Sequence, residues 1–236
     1  MPRDRTGEEG AAEQRRVWDL PTRVFHWALV LLVLASYLTG EFWRGVDMRW
    51  HMWSGYAILA LVLFRLAWGL AGTRHARFGD FLKPPGEILS YLRALLAGQA
   101  PASAGHNPLG GLSVLALLGV LLLQAGSGLF ASDDIFVEGP LAGLVRSATV
   151  DWMTSLHHRA FDLLIGLIAL HLAAVAYYEA VLGKRLLCAM LTGRKPGLDA
   201  GQHGSVPLAA LRGLLLLAIA AAAVVALVFG LPAWAA

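Results

Sequence analysis

Residues 156–171 read LHHRAFDLLIGLIALH, an apolar run with histidines near both ends. Ionisable residues inside such a run are functional candidates, because an imidazole in hydrocarbon needs a hydrogen bond or a metal. His171 follows His157 by 14 residues, which in an α-helix is within about 40° of whole turns and roughly 21 Å along the axis. The two imidazoles are therefore expected on one helix face, at two different heights.

The neighbouring histidine, His158, is expected to point in another direction. It precedes His171 by 13 residues, which places its side chain about 140° away from the shared face. His157 is therefore the preferred ligand candidate of the adjacent pair. His158 is expected to face a neighbouring helix or the rim of the membrane.

The rest of the chain has the composition of a membrane protein. Of its 236 residues, 57% are hydrophobic and only 15% are charged, whereas a soluble domain is nearer a quarter charged. Five segments are long and apolar enough to cross a bilayer as helices: 24–40, 52–71, 109–130, 156–181 and 206–231. We therefore predict an all-α integral membrane protein in contact with lipid, with five transmembrane helices.

The basic residues indicate a topology rather than a nucleic-acid partner, because most of them lie in loops or at the ends of the apolar spans. The N-terminal arm and the second and fourth loops together carry fourteen Lys and Arg residues, and the first and third loops carry four. Cytoplasmic loops are enriched in these residues. We therefore predict a multi-pass protein of the bacterial inner membrane, with its N-terminus in the cytoplasm and its C-terminus in the periplasm.

This topology pairs the histidines at two depths. The first span runs outward and has His26 in its inner turns, while the second runs inward and has His51 at its outer end. The fourth span also runs inward, so His157 lies at the outer level and His171 lies deeper. Each level then has one histidine from the fourth span and one from another helix, with a looser match at the inner level.

Two separated pairs of histidines indicate haem rather than another metal. Zinc, copper and non-haem iron sites use three or more protein ligands at one point, whereas a bis-histidine haem needs two imidazoles on opposing helices. The single cysteine, Cys188, leaves no thiolate set for an iron–sulfur cluster, and the CxxCH motif of covalent haem is absent. We therefore predict two non-covalent b-type haems, which are suited to electron transfer.

Two residues repeat the 14-residue spacing on the other helices. Arg65 follows His51 by 14 residues, so it is expected at the inner level, where the carboxylates of a haem would pair with it. The alternative is an arginine that snorkels to the headgroups. Gly40 follows His26 by 14 residues and is expected either to leave room for the outer macrocycle or to serve helix packing.

These residues resemble the bacterial cytochrome b561 and nickel–iron hydrogenase cytochrome b family over about residues 15–195. The matching stretches are RVFHW around His26, RWHMWSGY around His51 with Arg65 after it, and the run 156–171. Two further stretches, GHNPLGG from Gly105 and SGLFASDDIFVEGPL from Ser127, resemble a subgroup of that family. Four histidines at these spacings are the specific part of the resemblance.

The resemblance implies a four-helix haem-binding transmembrane bundle, to which a fifth, C-terminal transmembrane helix is added, and with it a domain organisation and a site. A cytoplasmic arm would cover residues 1–20, a di-haem transmembrane domain residues 21–193, and a linker with the additional helix residues 194–236. By position, His26 and His171 would bind the iron of the inner haem, and His51 and His157 that of the outer haem. The family also implies electron exchange between the quinone pool and a redox partner, and it allows a bound quinone.

Loop residues carry the remaining predictions. In the second loop, residues 87–96 are expected to form a short interfacial helix after the proline pair at 84–85. The outer loop 132–155 is net acidic, and it either steers a basic soluble cytochrome or is an ordinary solvated loop. His106 either acts beside a haem carboxylate or a quinone, or makes a capping or loop contact, which we favour. His75 and His203 are expected to be solvated loop residues.

Several functions are compatible with these features. The leading hypothesis is a di-haem electron carrier that oxidises quinol and reduces a periplasmic partner such as a c-type cytochrome. The second is a membrane-anchor cytochrome b subunit of a hydrogenase or another oxidoreductase. The third is a superoxide:quinone oxidoreductase, which would make the chain an enzyme in its own right. A polar-helix transporter or scaffold is the non-redox alternative.

Overall fold

The computed structural model describes residues 15–42, 47–99, 101, 103, 105–195 and 206–235. Within these residues, five helices are long and apolar enough to cross a membrane. They are α1 (Leu20–Tyr37), α2 (Arg49–Ala71), α5 (Pro108–Gly128), α6 (Ser147–Ala180) and α8 (Val206–Val225). The predicted all-α, multi-pass membrane architecture is thereby confirmed.

Shorter elements connect and extend the spanning helices. The short helices are α3 (Phe78–Phe81), α4 (Pro85–Leu96), α7 (Leu186–Thr192) and α9 (Leu231–Ala235). Turns of π-helix lengthen α1 over Leu38–Phe42 and α8 over Ala226–Gly230, and 3₁₀ turns cover Arg74–Ala76 and Ala142–Leu144. The expected interfacial helix is therefore present as α4, and the segment before it contains α3, which was not predicted.

Two spanning helices begin at residues whose side chains cap them. Asp19 accepts the amide of Thr22 at 2.7 Å before α1, and Asn107 accepts the amide of Gly110 at 2.7 Å before α5. A proline follows each cap within the first two helical positions, where its missing N–H removes no helical hydrogen bond. The first helix therefore starts at Leu20, four residues before the predicted apolar span.

The fourth spanning helix, α6, is longer than predicted. Its 34 residues are about 51 Å long, whereas the hydrocarbon layer is about 30 Å thick. The apolar span was predicted to begin at residue 156, but the helix begins at Ser147 and includes the more polar residues before the span. Thr154 in these turns accepts the amide of Ser132 at 3.1 Å, so this part of the outer loop is ordered helix.

Helix α2 forms the centre of the bundle. It packs closely against α1, α5 and α8, while α6 packs closely along α5. Val62 and Phe64 of α2 lie in a buried cluster with Phe25, Leu118 and Leu164, which come from the other helices. Among the described residues, α6 makes no extensive close backbone packing with α1 or α2. The rings of Tyr37 on α1 and Phe161 on α6 stack across this gap with their centroids 5.9 Å apart.

The fifth spanning helix, α8, belongs to the bundle core. Val224 and Val228 of this C-terminal segment pack in a buried cluster with Leu59 and Ala60 of α2. A Cβ atom at Gly213 would lie 2.8 Å from the ring of Pro21, so the start of α8 is also in close contact with the start of α1. The additional helix thus covers a face of α2.

A two-stranded sheet joins the segment before the first spanning helix to the segment after the fourth. Strand β1 (Arg15–Arg16) pairs antiparallel with β2 (Arg194–Lys195). The amides of Val17 and Trp18 donate to the carbonyl of Gly193 at 2.7 and 3.2 Å. Gly193 has a φ of +79°, and a Cβ atom there would lie 2.7 Å from the Trp18 carbonyl oxygen, so glycine is required at this turn.

Candidate functional site at the paired histidines

The structure brings His51 and His157 together. His51 lies in the first turn of α2, and His157 lies on α6. Their ring centroids are 6.2 Å apart, and the ring planes are inclined at 81°. A metal–imidazole bond is about 2 Å long and the ring centre lies roughly 1 Å behind the nitrogen, so two axial imidazoles on one metal have centroids about 6 Å apart. The separation therefore fits a single metal between the rings.

Backbone carbonyls orient both of these imidazoles. The Nδ1 atom of His51 is 2.9 Å from the carbonyl oxygen of Ser36, and the Nδ1 atom of His157 is 2.9 Å from that of Gln124. Because a carbonyl only accepts hydrogen bonds, Nδ1 must carry the proton in each ring. The lone pair is then on Nε2, which is the tautomer that binds a metal through Nε2 with its orientation held by the second nitrogen.

Serine hydroxyls add to this arrangement at both histidines. The Oγ atom of Ser36 is 3.3 Å from Nδ1 of His51, and the Oγ atom of Ser127 is 3.4 Å from Nδ1 of His157. Neither serine was identified from the sequence, because single serines in apolar helices are common and carry no spacing signal. The two imidazoles thus have the same kind of support, one from α1 and one from α5.

Each of these two imidazole rings packs directly against a glycine, which we call its seat. A Cβ atom at Gly40 would lie 2.7 Å from Nδ1 of His51, and one at Gly128 would lie 2.9 Å from Cε1 of His157. These distances are shorter than any normal carbon contact, so each imidazole lies directly against the backbone of a neighbouring helix. Gly40 was expected either to make room for a macrocycle or to serve helix packing, and in the structure it makes room for the imidazole of the neighbouring helix. Gly128 was not predicted.

The side chain of Gln124 contacts the opposite nitrogen of His157. Its Nε2 atom is 3.1 Å from Nε2 of His157, so the amide donates to the lone pair that a metal would take. Its Oε1 atom is buried without a hydrogen-bond partner among the described residues. Binding of a metal at this nitrogen therefore requires the Gln124 amide to turn away.

The second pair, His26 and His171, is less constrained. The two imidazoles lie close enough for their charges to interact, and the ring of His26 packs edge-on against Trp27 with centroids 5.1 Å apart. The Nδ1 atom of His26 is buried and has no hydrogen-bond partner within the described part of the chain. The structure thus places this pair in one region, without the carbonyl contacts that orient His51 and His157.

Arg65 is buried near the other end of α2. Its exposed fraction is 2%, and its guanidinium carbon lies 5.3 Å from the ring centre of Phe78 and 6.0 Å from that of Phe81. Asp19 lies close enough to attract it electrostatically, but Nη1 is buried without a hydrogen-bond partner among the described residues. The side chain therefore does not snorkel, and an anionic group of a ligand would satisfy its remaining donor.

A half-buried carboxylate, which sequence reasoning missed, lies beside Arg65. Asp19 accepts hydrogen bonds from the indole Nε1 of Trp68 at 3.1 Å and from the hydroxyl of Thr73, in addition to its contact with Thr22. These contacts come from α1, from the end of α2 and from the turn after it. Asp19 therefore links three segments around the arginine, a role that its position before a helix does not reveal.

Two of the remaining histidines and the single cysteine differ in their exposure to solvent. His158 is exposed on α6, and Cys188 is an exposed free cysteine in α7. His75 was expected to be solvated, and this was wrong. Its exposed fraction is 5%, and its Nδ1 atom is 2.9 Å from a carboxylate oxygen of Asp80, which holds it under the loop. His203 lies outside the described residues.

His106 packs between two aromatic rings near Arg65. Its ring centroid lies 4.6 Å from both Trp18 and Phe81, and its Nδ1 atom is buried. Burial, and next the positive charge of Arg65, lower the pKa of His106 to about 3. The helix cap is Asn107, so His106 makes a loop contact, and its imidazole is neutral at physiological pH.

This neutrality predicts a pH-dependent stability. A histidine with a lowered folded-state pKa stabilises the fold fully above its ordinary pKa of 6.5, and this contribution is lost as the pH falls from 6.5 toward 3. Each pH unit in that window costs up to about 1.4 kcal/mol, or roughly 3–5 °C in Tm. In detergent, the His106→Phe variant should lose less Tm than the wild type between pH 7.5 and 5. The exposed control His158→Phe should behave as the wild type, and equal losses in all three proteins would contradict the expectation.

A cleft of about 500 Å³ opens beside His106. Its lining includes the charged residues Arg74, Asp80 and Lys83 and the ring of Tyr91. The volume is within the range of small-molecule sites. The end of the bundle that holds Arg65 therefore has both a buried cation and an accessible cleft.

Comparison with known proteins identifies relatives of this chain. Residues 17–193 match the family model described as prokaryotic cytochrome b561. The chain is 23% identical, over 239 aligned residues, to a protein of Cupriavidus necator named as a probable Ni/Fe-hydrogenase B-type cytochrome subunit. That alignment covers 83% of this chain and 96% of the relative. The family match includes both histidine pairs and Arg65, and it ends before α8.

Proposed function

The chain belongs to the prokaryotic cytochrome b561 family, and on this premise we propose that it is a di-haem cytochrome passing electrons between the quinone pool and a redox enzyme. The observation that carries the proposal is the pair formed by His51 and His157. Their 6.2 Å separation and the two carbonyl contacts at Nδ1 support a site in which both imidazoles would hold one haem iron through their Nε2 atoms.

The second haem rests on the second pair. His26 and His171 would hold it, with His171 roughly 21 Å along α6 from His157. Arg65, whose buried Nη1 has no hydrogen-bond partner in the part of the chain that the structure describes, is suited to a haem carboxylate at this level. When bound, the two groups supply one-electron chemistry at two heights of the membrane. The chain contributes their orientation and, through α2 and α5, an apolar surrounding.

The orientation of the protein follows from its basic residues. The excess of Lys and Arg in the N-terminal arm and in the second and fourth loops supports an orientation with the N-terminus and the Arg65 end at the cytoplasmic face of the inner membrane. The His51 end then faces the periplasm. The cleft beside His106 becomes the preferred place for quinone, because it is accessible and lies close to Arg65.

The redox partner is best understood as an enzyme that uses this chain as its membrane anchor. The relative from Cupriavidus necator is named as a subunit of a probable hydrogenase, and the aligned region covers nearly all of that protein. A hydrogenase or similar oxidoreductase on the periplasmic side would exchange electrons at the pair formed by His51 and His157. Exposed acidic residues in the outer loop, Asp134 and Glu138, favour a soluble c-type cytochrome as the second candidate.

Haem-replete expression tests the proposal. The purified protein should be red, with two haems per chain in a pyridine haemochrome assay, and a short-chain quinol should reduce them. Colourless protein, or protein that no quinol reduces, would contradict the proposal. Purification from native membranes in mild detergent then distinguishes the two partner candidates. An anchor subunit should copurify with a metalloenzyme, whereas a free electron carrier should not. Rapid reduction by superoxide would instead support the superoxide:quinone oxidoreductase alternative.

A further inference from the structure

The outer loop forms a short, closed turn at the His51 end of the bundle. A β-bridge between Ser132 and Glu138 closes it. The carboxylate of Asp133 accepts the amides of Ile135, Phe136 and Val137 at 3.0, 2.8 and 2.8 Å. Three hydrogen bonds to one carboxylate oxygen fix the backbone of the turn. The loop is therefore an ordered projection rather than a loose connection.

The tip of this projection is apolar and exposed. Phe136 has an exposed fraction of 89%, and Ile135 has one of 74%. Phe136 is the most exposed large hydrophobic side chain among the described residues. We call these two residues the apolar finger. A rigid turn that presents large apolar side chains is typical of an interaction site, because their exposure to water has a cost that only a partner relieves.

The turn that carries the apolar finger is hydrogen-bonded to the residues just after α5, beside the glycine that contacts His157. The amide of Gly139 donates to the Ala131 carbonyl at 2.7 Å, and that of Leu141 donates to the Leu129 carbonyl at 2.9 Å. A Cβ atom at Gly139 would overlap the Leu129 carbonyl, so the two strands of chain are in direct contact. The residue before Leu129 is Gly128, the seat of the His157 imidazole. A partner held by the apolar finger would therefore lie beside the pair formed by His51 and His157.

The charged residues on the turn that carries the apolar finger are all negative. Asp133, Asp134 and Glu138 are exposed on the same turn, and residues 132–145 contain no Lys or Arg. The backbone amides, that of Val137 first, lower the pKa of Asp133, which keeps this carboxylate ionised. A surface that pairs with such a turn must carry positive charge around an apolar depression. An anionic lipid surface would be repelled.

We propose that the apolar finger is the docking site for a soluble electron-transfer protein that has an apolar depression bordered by Lys and Arg beside its redox centre. This inference rests on the proposed function and on the second of its two partner candidates, a soluble carrier, and it names the chemistry of that carrier. Phe136 and Ile135 enter the depression, and Asp134 and Glu138 meet the basic border. The Asp133 hydrogen bonds hold the tip ready, so docking requires little ordering of the loop.

Electron transfer to a basic c-type cytochrome tests the docking site. Mitochondrial cytochrome c serves as the probe, because it has a basic border around an exposed haem edge, and its reduction by the quinol-reduced protein is followed by stopped flow at low salt. The double variant Ile135→Ser/Phe136→Ser should lower the second-order rate constant about tenfold or more. The variant Asp134→Asn/Glu138→Gln should lower it about threefold and flatten its salt dependence. The control Leu96→Ser changes an equally exposed leucine on α4 and should leave the rate unchanged.

Three outcomes would overturn the docking proposal. The first is an unchanged rate in the double variant, and the second is no reaction between the wild type and the probe. The third is quenching by spin-labelled lipid in nanodiscs of a fluorophore attached to Phe136→Cys, in a variant that also carries Cys188→Ser. That result would show that the apolar finger is a lipid anchor. In each case, an intact haem spectrum and normal quinol reduction show that the proposed function itself still holds. Loss of those two signals would instead indicate failure of the proposed function.

Discussion

Replacing His157 by alanine is expected to reduce the haem content from two to about one per chain. His157 is the α6 member of the pair whose rings are 6.2 Å apart, and alanine offers no atom that coordinates iron. The remaining imidazole, His51, keeps its contact with the Ser36 carbonyl, but one axial ligand holds a non-covalent haem weakly. The pyridine haemochrome yield per chain, measured after expression with added haem precursor, gives the result directly.

The adjacent histidine provides a matched control. His158 is exposed on the same helix, so His158→Ala should keep both haems and the wild-type spectrum. The complementary variant His171→Ala should lose the other haem and leave the spectrum of the outer one. Retention of two haems by His157→Ala, or loss of one by His158→Ala, would contradict the assignment of the pair.

Replacing Gly128 by valine is expected to lower the haem content almost as much, although Gly128 has no side chain that could bind haem. A Cβ atom at this position would lie 2.9 Å from Cε1 and 3.1 Å from Nδ1 of His157, so the side chain would displace the imidazole from its seat. The contact of Nδ1 with the Gln124 carbonyl would be lost with it. We expect at least half of the outer haem to be lost and the rest to show a changed spin state in its visible and EPR spectra.

The helix itself supplies the control for this variant. Gly126 lies two residues earlier in α5, and a Cβ atom there would meet nothing within 4 Å. Gly126→Val therefore changes helix propensity and apolar surface in the same way without touching an imidazole. The pair Gly40→Val and Gly55→Val repeats the comparison at His51, because only Gly40 lies against that ring. Equal haem content in Gly128→Val and Gly126→Val would show that the seat has no role in haem binding.

The two histidine pairs differ in how firmly the surrounding protein orients their imidazole rings. Both members of the pair formed by His51 and His157 have Nδ1 on a backbone carbonyl and a glycine behind the ring. The Nδ1 atom of His26 has no hydrogen-bond partner among the described residues. Hydrogen bonding at Nδ1 orients an imidazole and raises its basicity toward a metal. The outer pair is therefore the better-defined part of the candidate site.

Several features of the site are readable from local sequence. The five apolar spans, the shared face of His157 and His171 and the burial of Arg65 near the C-terminal end of α2 all follow from hydropathy and from a 14-residue spacing. An α-helix has the same periodicity wherever it packs, so these properties depend only on near neighbours in the chain. The cap residues Asp19 and Asn107, each with a proline after it, are equally local.

Other features depend on which segments meet in space. The carbonyl of Ser36 supports His51 because α1 lies beside α2 at the right height, and Gly128 seats His157 because α5 lies beside α6. Asp19 reaches Trp68 and Thr73 across about 50 residues of chain. Helix rotation and relative height are set by packing among many side chains, and no linear spacing contains them. For that reason the imidazoles were predictable from the sequence, whereas their carbonyl partners and glycine seats required the assembled bundle.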